Sequence, residues 1–210
     1  MDELRRLLAA AKQQDNCRAK TNEGVNNSPE WHKLLLIGIY TGLRLGDCCR
    51  LDWSQINVAE GVIQIVPKKT SRHHQRMVTI PIHESLGRAL ISRDNYSADA
   101  QSGYHFMGPV LPVIAELYSA SRWRVNDGLT RIFRAARIQT SIRIEGRHRR
   151  TPEATFHSLR HTFVSFAANA GVPLHVVQSI VGHESTAMTR HYYHENLDAL
   201  KSAVAAIPTL

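Results

Sequence analysis

The sequence predicts a mainly α fold with one small antiparallel β-sheet, an α+β class, and three observations support it. Apolar residues recur three and four apart through most of the chain, as on the buried faces of helices. Only two short β-branched runs, 61–66 and 77–80, lie close together, and a basic turn joins them. Hydrophobic residues make up 43% of the 210 residues, which is enough for a core and excludes wholesale disorder.

The first two helices are indicated by an apolar stripe and by a capping signal. A helix over 2–13 is expected to carry its apolar face on Leu4, Leu7, Leu8 and Ala11. After a polar loop, Ser28-Pro29 is typical of a helix start, with a capping serine and a proline in the first turn. The helix that follows is apolar on most sides, so we expect it to be buried and to end near Thr41-Gly42.

The middle of the chain alternates short elements with polar turns. A short helix is expected around Asp47 and Leu51, with Arg44 at the bend before it. Pro81 ends the second strand, because proline cannot donate to a sheet. Further helices are predicted over 83–93, 110–118 and 126–137, with a surface loop at 94–108 and a loop or short ribbon at 140–153.

Helical signals return in the last third of the chain. Thr155 or Ser158 can cap a helix whose apolar side is Leu159, Phe163, Phe166, Ala167 and Ala170. Gly171 and Pro173 end it and begin a helix that reaches Val181, and Gly182-His183 breaks that one. A third short helix opens after Ser185, and 195–207 predicts an amphipathic helix.

Charge and cysteine content narrow the function classes. The net charge of +8 and the pI near 9.8 favour a polyanionic partner, without choosing among DNA, RNA and an anionic membrane. No apolar run reaches the ~18 residues of a membrane span. The N-terminus is charged and lacks a signal-peptide apolar region. Three cysteines form no disulfide or zinc framework, which favours reduced thiols in the cytosol.

Four motifs occur in a fixed order. They are TGLRLGD at 41–47, a lysine at position 69 in the basic turn, HSLRHTF at 157–163, and GHES at 182–185 with a tyrosine nine residues beyond its histidine. This set resembles the tyrosine recombinase (phage integrase) family over residues 30–207. The resemblance implies the catalytic-domain fold of that family. It also implies a bacterial or phage protein of the cytoplasm, associated with the nucleoid.

Cleavage of a phosphodiester needs a nucleophile, neutralisation of charge on the phosphoryl oxygens, and a proton for the leaving oxygen. The resemblance makes Tyr192 the nucleophile, and its phenol, with a pKa of ~10, needs a base or a positive setting. Arg44 and Arg160 can bind the non-bridging oxygens through paired hydrogen bonds. The implied product is a 3′-phosphotyrosyl link, which conserves bond energy, so neither a nucleotide nor a metal cofactor is expected.

Three further residues complete the implied catalytic set. His157 can accept a proton or hold the phosphate, and it shares a helix face with the arginine three residues on. His183 can donate to a phosphoryl oxygen, and Lys69 can protonate the departing 5′ oxygen. Tyr193 competes with Tyr192, and Lys68 competes with Lys69.

Several candidates keep two interpretations. Asp47 stands where relatives have an acidic residue, and we expect it to orient the backbone or the arginine. His161 can support the site or simply pack. It lies four residues from His157, a spacing that can chelate a metal, yet no further metal motif accompanies the pair, so no metal site is expected.

Double-stranded DNA is the expected partner. Basic side chains in or beside the turn between the two strands, and in the segment 140–153, are expected to bind its phosphates. Other protomers are expected too, as a tetramer on paired sites, with a monomer possible in isolation. The expected DNA-binding residues are Lys68, Arg72, His73, Arg76, Arg143, Arg147, Arg149 and Arg150.

The resulting expectation is a site-specific DNA recombinase or integrase catalytic domain. It occupies 28–210 after a lead-in of 1–27, and the separate DNA-binding domain that usually precedes it in the family is absent. The alternatives are a non-cleaving DNA-binding accessory protein on the same fold, relaxation of DNA like a type IB topoisomerase, and a metal-dependent nuclease built on the histidines.

Overall fold

Helix α2 (Trp31–Thr41) is the central element of the fold. In the computed structural model, which describes residues 1–16, 30–67, 77–91, 107–146 and 150–181, three other helices pack most extensively against it. They are α1 (Asp2–Asn16), α4 (Glu84–Leu90) and α7 (Phe156–Asn169). The predicted mainly helical class with a small antiparallel sheet is confirmed.

The composition of α2 explains its central place. Leu34, Leu35 and Ile37 are fully buried, as expected for a helix that is apolar on all sides. The helix ends where Gly42 adopts a left-handed conformation with φ of 63°, and its N–H donates to the carbonyl of Gly38. The predicted end at Thr41-Gly42 is therefore confirmed, while the capping residues Ser28 and Pro29 lie outside the described residues.

The crossing of α2 over α7 is close because Gly38 has no side chain. A Cβ atom built on Gly38 would lie 2.6 Å from Cζ of Phe156 and 3.1 Å from Cδ1 of Leu159. Both neighbours are buried, so neither ring nor methyl group can move aside without disturbing the core. The backbone of α2 therefore lies directly against side chains of α7. This close contact brings the end of α2 near the first turns of α7.

Helix α1 belongs to the same core. Its residues Leu7, Ala10 and Ala11 are buried, and the helix contacts both α2 and α6 (Arg122–Ala135). The apolar face predicted for 2–13 is thus the packed face, with Leu4 and Leu8 partly buried beside it.

A buried carboxylate ties the start of α2 to α5 (Pro112–Ala120). Glu30 is 7% exposed, and its two oxygens accept hydrogen bonds from the backbone N–H groups of Val113 and Ile114, at 3.2 and 2.8 Å. These groups lie in the first turn of α5 and lack partners within their own helix. A negative group at a helix N-terminus also interacts favourably with the positive end of the helix dipole.

The main sheet is antiparallel with strand order β1-β2-β3, formed by β1 (Ile56–Asn57), β2 (Val62–Ile65) and β3 (Val78–Pro81). Ile63 pairs with Ile80, and both face the core, whereas the next pair, Gln64 and Thr79, faces out. Both predicted strands are confirmed, the first one residue shorter at each end and the second shifted by one residue to end at Pro81. The third strand, β1, was not predicted because two residues give no periodic signal.

The remaining elements follow the predicted order with shifted ends. Helix α3 spans Leu45–Cys48, and the predicted ribbon at 140–153 consists of β4 (Ser141–Ile142) and β5 (Thr151–Pro152). The helix expected over 126–137 begins four residues earlier, at Arg122. The residues before Asn126 mix charged and aromatic side chains, so no apolar periodicity predicted this first turn.

The apolar side predicted for α7 is partly wrong. Phe166 is 42% exposed and Ala170 is exposed, whereas Val164 is buried. Helix α8 (Leu174–Val181) packs against α7 and forms a small cluster in which Val164, Val177 and Val181 are buried. Because α7 contacts α2 through one stripe and α8 through another, its buried surface is rotated away from Phe166.

Replacement of Gly38 by alanine tests the close crossing. Gly38→Ala should lower the free energy of unfolding by about 1–2 kcal/mol, because the overlap with Phe156 outweighs the helix preference of alanine. Gly87→Ala in α4 is the matched control, since among the described residues its Cβ would meet Ile82 alone, at 3.6 Å. That variant should be about 0.5–1 kcal/mol more stable. Equal effects of the two variants in urea unfolding would contradict the close packing.

The stability of the fold should depend on His32 below neutral pH. Burial, and then the charges of Lys12 and Lys33, lowers the pKa of His32 to about 4. The unfolded chain therefore binds the extra proton first, so stability should be lost as pH falls from about 6.5 towards 4. Allowing for solvent screening, the loss due to this group is on the order of 1–2 kcal/mol. His32→Gln should flatten the dependence measured by urea unfolding between pH 7 and 4.5, and an unchanged slope would contradict this cause.

Candidate active site

Arg160 joins two helix ends from a buried position. It lies in the second turn of α7 and is 2% exposed. Its Nη1 donates to the carbonyl of Gly42, 2.8 Å away, and its Nη2 donates to the carbonyl of Val181. Gly42 follows the last residue of α2, and Val181 is the last residue of α8. Carbonyls at helix C-termini carry partial negative charge and lack helical partners, so a guanidinium is well suited to bind them.

Arg44 lies beside this bridge with part of its guanidinium unused. It precedes α3 in an extended conformation, two residues after the glycine whose carbonyl Arg160 holds. The side chain is half-buried, and its Nη1 is buried without a hydrogen-bond partner among the residues that the structure describes. A buried charged donor without an acceptor is costly, which indicates a position prepared for an external anion.

The two guanidiniums influence each other electrostatically. Burial, and next the charge of Arg44, lowers the pKa of Arg160 to about 10, so Arg160 remains charged at neutral pH. Asp47 and Cys48 act in the opposite direction and favour the charged form. Asp47 is 6% exposed and sits in α3, three residues beyond Arg44. The result is two neighbouring cations with one buried carboxylate close by, and hence an excess of positive charge.

The end of α2 owes its shape to Thr41. Its Oγ1 donates to the carbonyl of Ile37 at 2.6 Å and accepts from the N–H of Leu43 at 3.2 Å. These two hydrogen bonds span the left-handed Gly42. They fix the backbone conformation between the end of α2 and Arg44. A Cβ on Gly42 would meet the ring of Phe163 at 2.8 Å, so glycine is required there by both space and conformation.

Two histidines stand on the exposed side of α7. His157, in the first turn, and His161, one turn later, are both exposed, and their rings meet edge to face with centroids 4.7 Å apart. Burial, and then the adjacent Arg160 charge, lowers the pKa of His161. The Thr155 N–H donates to Ser158 Oγ at 3.1 Å, so both predicted capping residues take part in the helix start.

The buried thiols are unsuited to act as nucleophiles. Burial raises the pKa of Cys48 well above its usual value and that of Cys49 to about 12. Both groups are therefore protonated at neutral pH, and a thiol is much less nucleophilic than a thiolate. Both thiols lie in the core.

The structure describes three of the six predicted catalytic residues, namely Arg44, His157 and Arg160. The other three, Lys69, His183 and Tyr192, lie outside the described residues, as do their competitors Lys68 and Tyr193. The strands that flank the segment holding Lys69 are β2 and β3, and β3 packs against α8.

The predicted DNA-binding residues divide in the same way. Arg143 and Arg150 are exposed at the β4–β5 ribbon. The others lie outside the described residues, namely Lys68, Arg72, His73, Arg76, Arg147 and Arg149.

Sequence reasoning missed the backbone part of this site. The carbonyls of Gly42 and Val181 carry no signal in a sequence, although a threonine before a helix-ending glycine marks the turn. Within the described ranges, no group of three or more histidine, cysteine, aspartate or glutamate side chains is placed to hold a metal ion. The described helices also include none that is long and apolar enough to cross a bilayer.

Comparison with known proteins identifies the family. The model of the phage integrase family matches residues 1–198, which is most of the chain. The chain belongs to the phage integrase family. The resemblance first seen in four short motifs thus extends over Arg44, which precedes α3, and over α7, which contains Arg160, and it includes α1.

Relatives and solved structures agree with this assignment. The chain is 28% identical to the integrase of Salmonella phage P22 over 156 residues, which cover 73% of this chain and 36% of that protein. The catalytic domain of bacteriophage HP1 integrase has a similar fold, with a TM-score of 0.63, 23% identity, and coverage of 98% of this chain and 92% of that one.

A third similar structure is the XerH site-specific recombinase bound to its difH substrate in a pre-cleavage complex. The TM-score is 0.55 at 19% identity, covering 97% of this chain and 52% of that chain. The chain spans about a third to a half of the length of the first relatives that it matches.

Replacement of Arg160 by lysine tests the bridge between helix ends. Arg160→Lys should lower the free energy of unfolding by roughly 2–4 kcal/mol, because the single nitrogen of an ammonium cannot occupy the two positions from which Nη1 and Nη2 each reach one carbonyl. Arg131→Lys is the matched control, since Arg131 pairs with Asp127 at 3.1 Å on the half-exposed side of α6. It should cost less than about 0.5 kcal/mol. Comparable losses in urea unfolding would argue against a structural role for Arg160.

Proposed function

We propose that this protein is the catalytic part of a site-specific DNA recombinase or integrase, which breaks and rejoins strands through a 3′-phosphotyrosyl intermediate. The observation that carries the proposal is the buried Nη1 of Arg44, which has no hydrogen-bond partner among the described residues and lies beside the second guanidinium of Arg160. Family membership supports the reaction class. In this proposal residues 28–210 carry the chemistry, and α1 completes the core beneath it.

The guanidinium pair suits the phosphoryl group of DNA. A phosphate offers several oxygens to planar, permanently charged donors, and Arg44 has a donor with no acceptor among the described residues. Arg160 uses two nitrogens on carbonyls, and its permanent charge beside Arg44 adds to the attraction for a phosphate. In a partly buried site these charges stabilise the extra negative charge of the transition state more than they would in water.

The proposed reaction conserves the energy of the cleaved bond. The phenol oxygen of Tyr192 attacks phosphorus, the bond from phosphorus to the 5′ oxygen breaks, and Lys69 gives that oxygen a proton. His157 accepts a proton at the active site, and His183 donates a hydrogen bond to a phosphoryl oxygen. A 5′ hydroxyl of another strand then attacks the phosphotyrosine, which restores the tyrosine. Because transfer replaces hydrolysis, the proposal requires no nucleotide or metal ion.

The proposed partner is double-stranded DNA, held through its phosphates by the basic residues of the ribbon and of the segment between β2 and β3. The exposed Arg143 and Arg150 are members of this set. The structurally similar XerH is bound to a DNA substrate, which supports this class of partner. Exchange of strands between two sites also requires further protomers, so we propose assembly on DNA.

The nucleophile is tested with a nicked DNA site that traps a cleaved strand. The protein should form a covalent adduct, visible as a band of lower mobility in denaturing gels. Tyr192→Phe should abolish it, because the phenol oxygen forms the bond to phosphorus. Tyr193→Phe is the matched control and should retain it. Adduct formation should also persist in chelator. Loss of the adduct only in Tyr193→Phe would make Tyr193 the nucleophile instead of Tyr192. Absence of any adduct with a cognate site would favour a DNA-binding protein that does not cleave.

The phosphate-binding role of Arg44 is tested by separating activity from stability. Arg44→Ala should slow adduct formation roughly 10²–10³-fold, the loss typical of removing one donor to a developing oxyanion. It should not lower the unfolding midpoint, because Nη1 makes no hydrogen bond to a described residue. Arg50→Ala, which removes an exposed guanidinium lying over the ring of Tyr118, is the control and should keep the activity. Similar rates for the two variants would contradict the role of Arg44.

A further inference from the structure

The first turn of α6 exposes a tryptophan between two arginines. Trp123 is 70% exposed, whereas the other two tryptophans of the chain, Trp31 and Trp53, are 1% and 8% exposed. Arg122 and Arg124 are also exposed. Successive residues of a helix lie about 100° apart around its axis, so the Trp123 side chain leaves the helix between the two arginine side chains. We call these three residues the Arg122–Arg124 surface.

Neither the tryptophan nor the arginines of this surface favour the stability of the free protein. An exposed indole leaves a large apolar area in water, and such areas commonly serve for contact with a partner. The first turn of a helix carries partial positive charge, so Arg122 and Arg124 meet it with like charge. That turn holds no acidic residue, and Asp127, one turn later, pairs with Arg131 at 3.1 Å. Side chains that disfavour the fold indicate a role other than stability.

The Arg122–Arg124 surface lies close to the candidate phosphate site. Tyr118, in the last turn of α5, approaches α3, since a Cβ atom built on Gly46 would lie 2.8 Å from the Tyr118 hydroxyl oxygen. Arg44 immediately precedes α3, and Ser121 alone separates α5 from α6. The Cα atom of Arg122 is therefore at most about 14 Å from that of Tyr118. A duplex has a phosphate about every 3.4 Å of its axis on each strand, so a duplex held at Arg44 offers further phosphates over this distance.

We propose that the Arg122–Arg124 surface binds the duplex beside the phosphate held by Arg44 and Arg160, an inference that rests on the proposed function. Arg122 and Arg124 bind backbone phosphates, and the indole of Trp123 packs against the DNA between them. Charge decides the choice of partner. Helix α6 carries four arginines and one aspartate, so it attracts a polyanion and repels a second copy of this chain, whose net charge is +8. None of the three residues belongs to the DNA-binding residues expected from the sequence.

Fluorescence reports the occupancy of this surface directly, because Trp123 is the exposed one of the three tryptophans. Acrylamide, a neutral quencher, should quench the free protein mainly through Trp123. A saturating short duplex that lacks a recombination site should lower the quenching constant at least twofold. Trp123→Phe is the control and should show weak quenching that DNA leaves unchanged. The same quenching constant with and without DNA in the unaltered protein would refute the contact.

The two arginines are tested through the salt dependence of the affinity for the same duplex. Replacing both Arg122 and Arg124 by glutamine should reduce the slope of log affinity against log salt concentration by about 2, or about 0.9 for each lost phosphate contact. The unfolding midpoint should not fall, because both charges oppose the helix dipole. The matched control replaces Arg5 and Arg88, two exposed arginines paired with neighbouring carboxylates, and should change the slope by less than about 0.5. Equal changes in the two double variants would mean that overall charge alone governs binding, which would contradict the site.

The surface and the proposed function can fail separately, because both binding measurements use a duplex that need not be cleaved. Protection of Trp123 by DNA, with no covalent adduct on a cognate site, would support the surface and count against the recombinase. Normal adduct formation with Trp123 still accessible to acrylamide would support the recombinase and reject the surface. Protection that develops without DNA as the protein concentration rises would also reject it, since a second copy of the chain would then cover the indole.

Discussion

The bridge formed by Arg160 is the interaction on which the rest of the site depends. One buried guanidinium holds the carbonyl after α2 and the carbonyl at the end of α8, and it does so from the second turn of α7. The end of α2, which is distant in sequence, is thereby fixed to the neighbouring helices α7 and α8 at one point. The position of Arg44 follows directly, because it lies two residues beyond the glycine that Arg160 grips. The location of the candidate anion site is therefore a consequence of helix packing.

Burial of two neighbouring cations is unfavourable, and the fold limits this cost in several ways. Asp47 offsets part of the charge, and two helix C-termini supply partial negative charge to Arg160. Among the described residues, no acceptor makes a hydrogen bond with Nη1 of Arg44. A site left in this condition gains free energy when an anion enters. Sites organised for catalysis commonly keep such unfavourable electrostatics in the free protein, because reorganisation is then unnecessary during the reaction.

Much of the fold could be predicted because its signals are local. The apolar run of α2, its glycine end, and the alternation in β2 and β3 each follow from a few adjacent residues. The pairing of Arg160 with Gly42 and Val181 could not be predicted, since these partners are 118 and 21 residues away and offer only backbone atoms. The exposure of Phe166 was missed for a related reason: the direction of its helix face depends on where α8 packs.

The central claim is that Arg44 and Arg160 together bind one phosphate of DNA. The most direct measurement is a crystal structure of the Tyr192→Phe variant bound to a DNA site. The account predicts a single phosphate whose non-bridging oxygens lie about 3 Å from Nη1 of Arg44 and from a nitrogen of Arg160. A complex in which the two guanidiniums contact different phosphates, or in which Nη1 of Arg44 faces protein atoms alone, would contradict it.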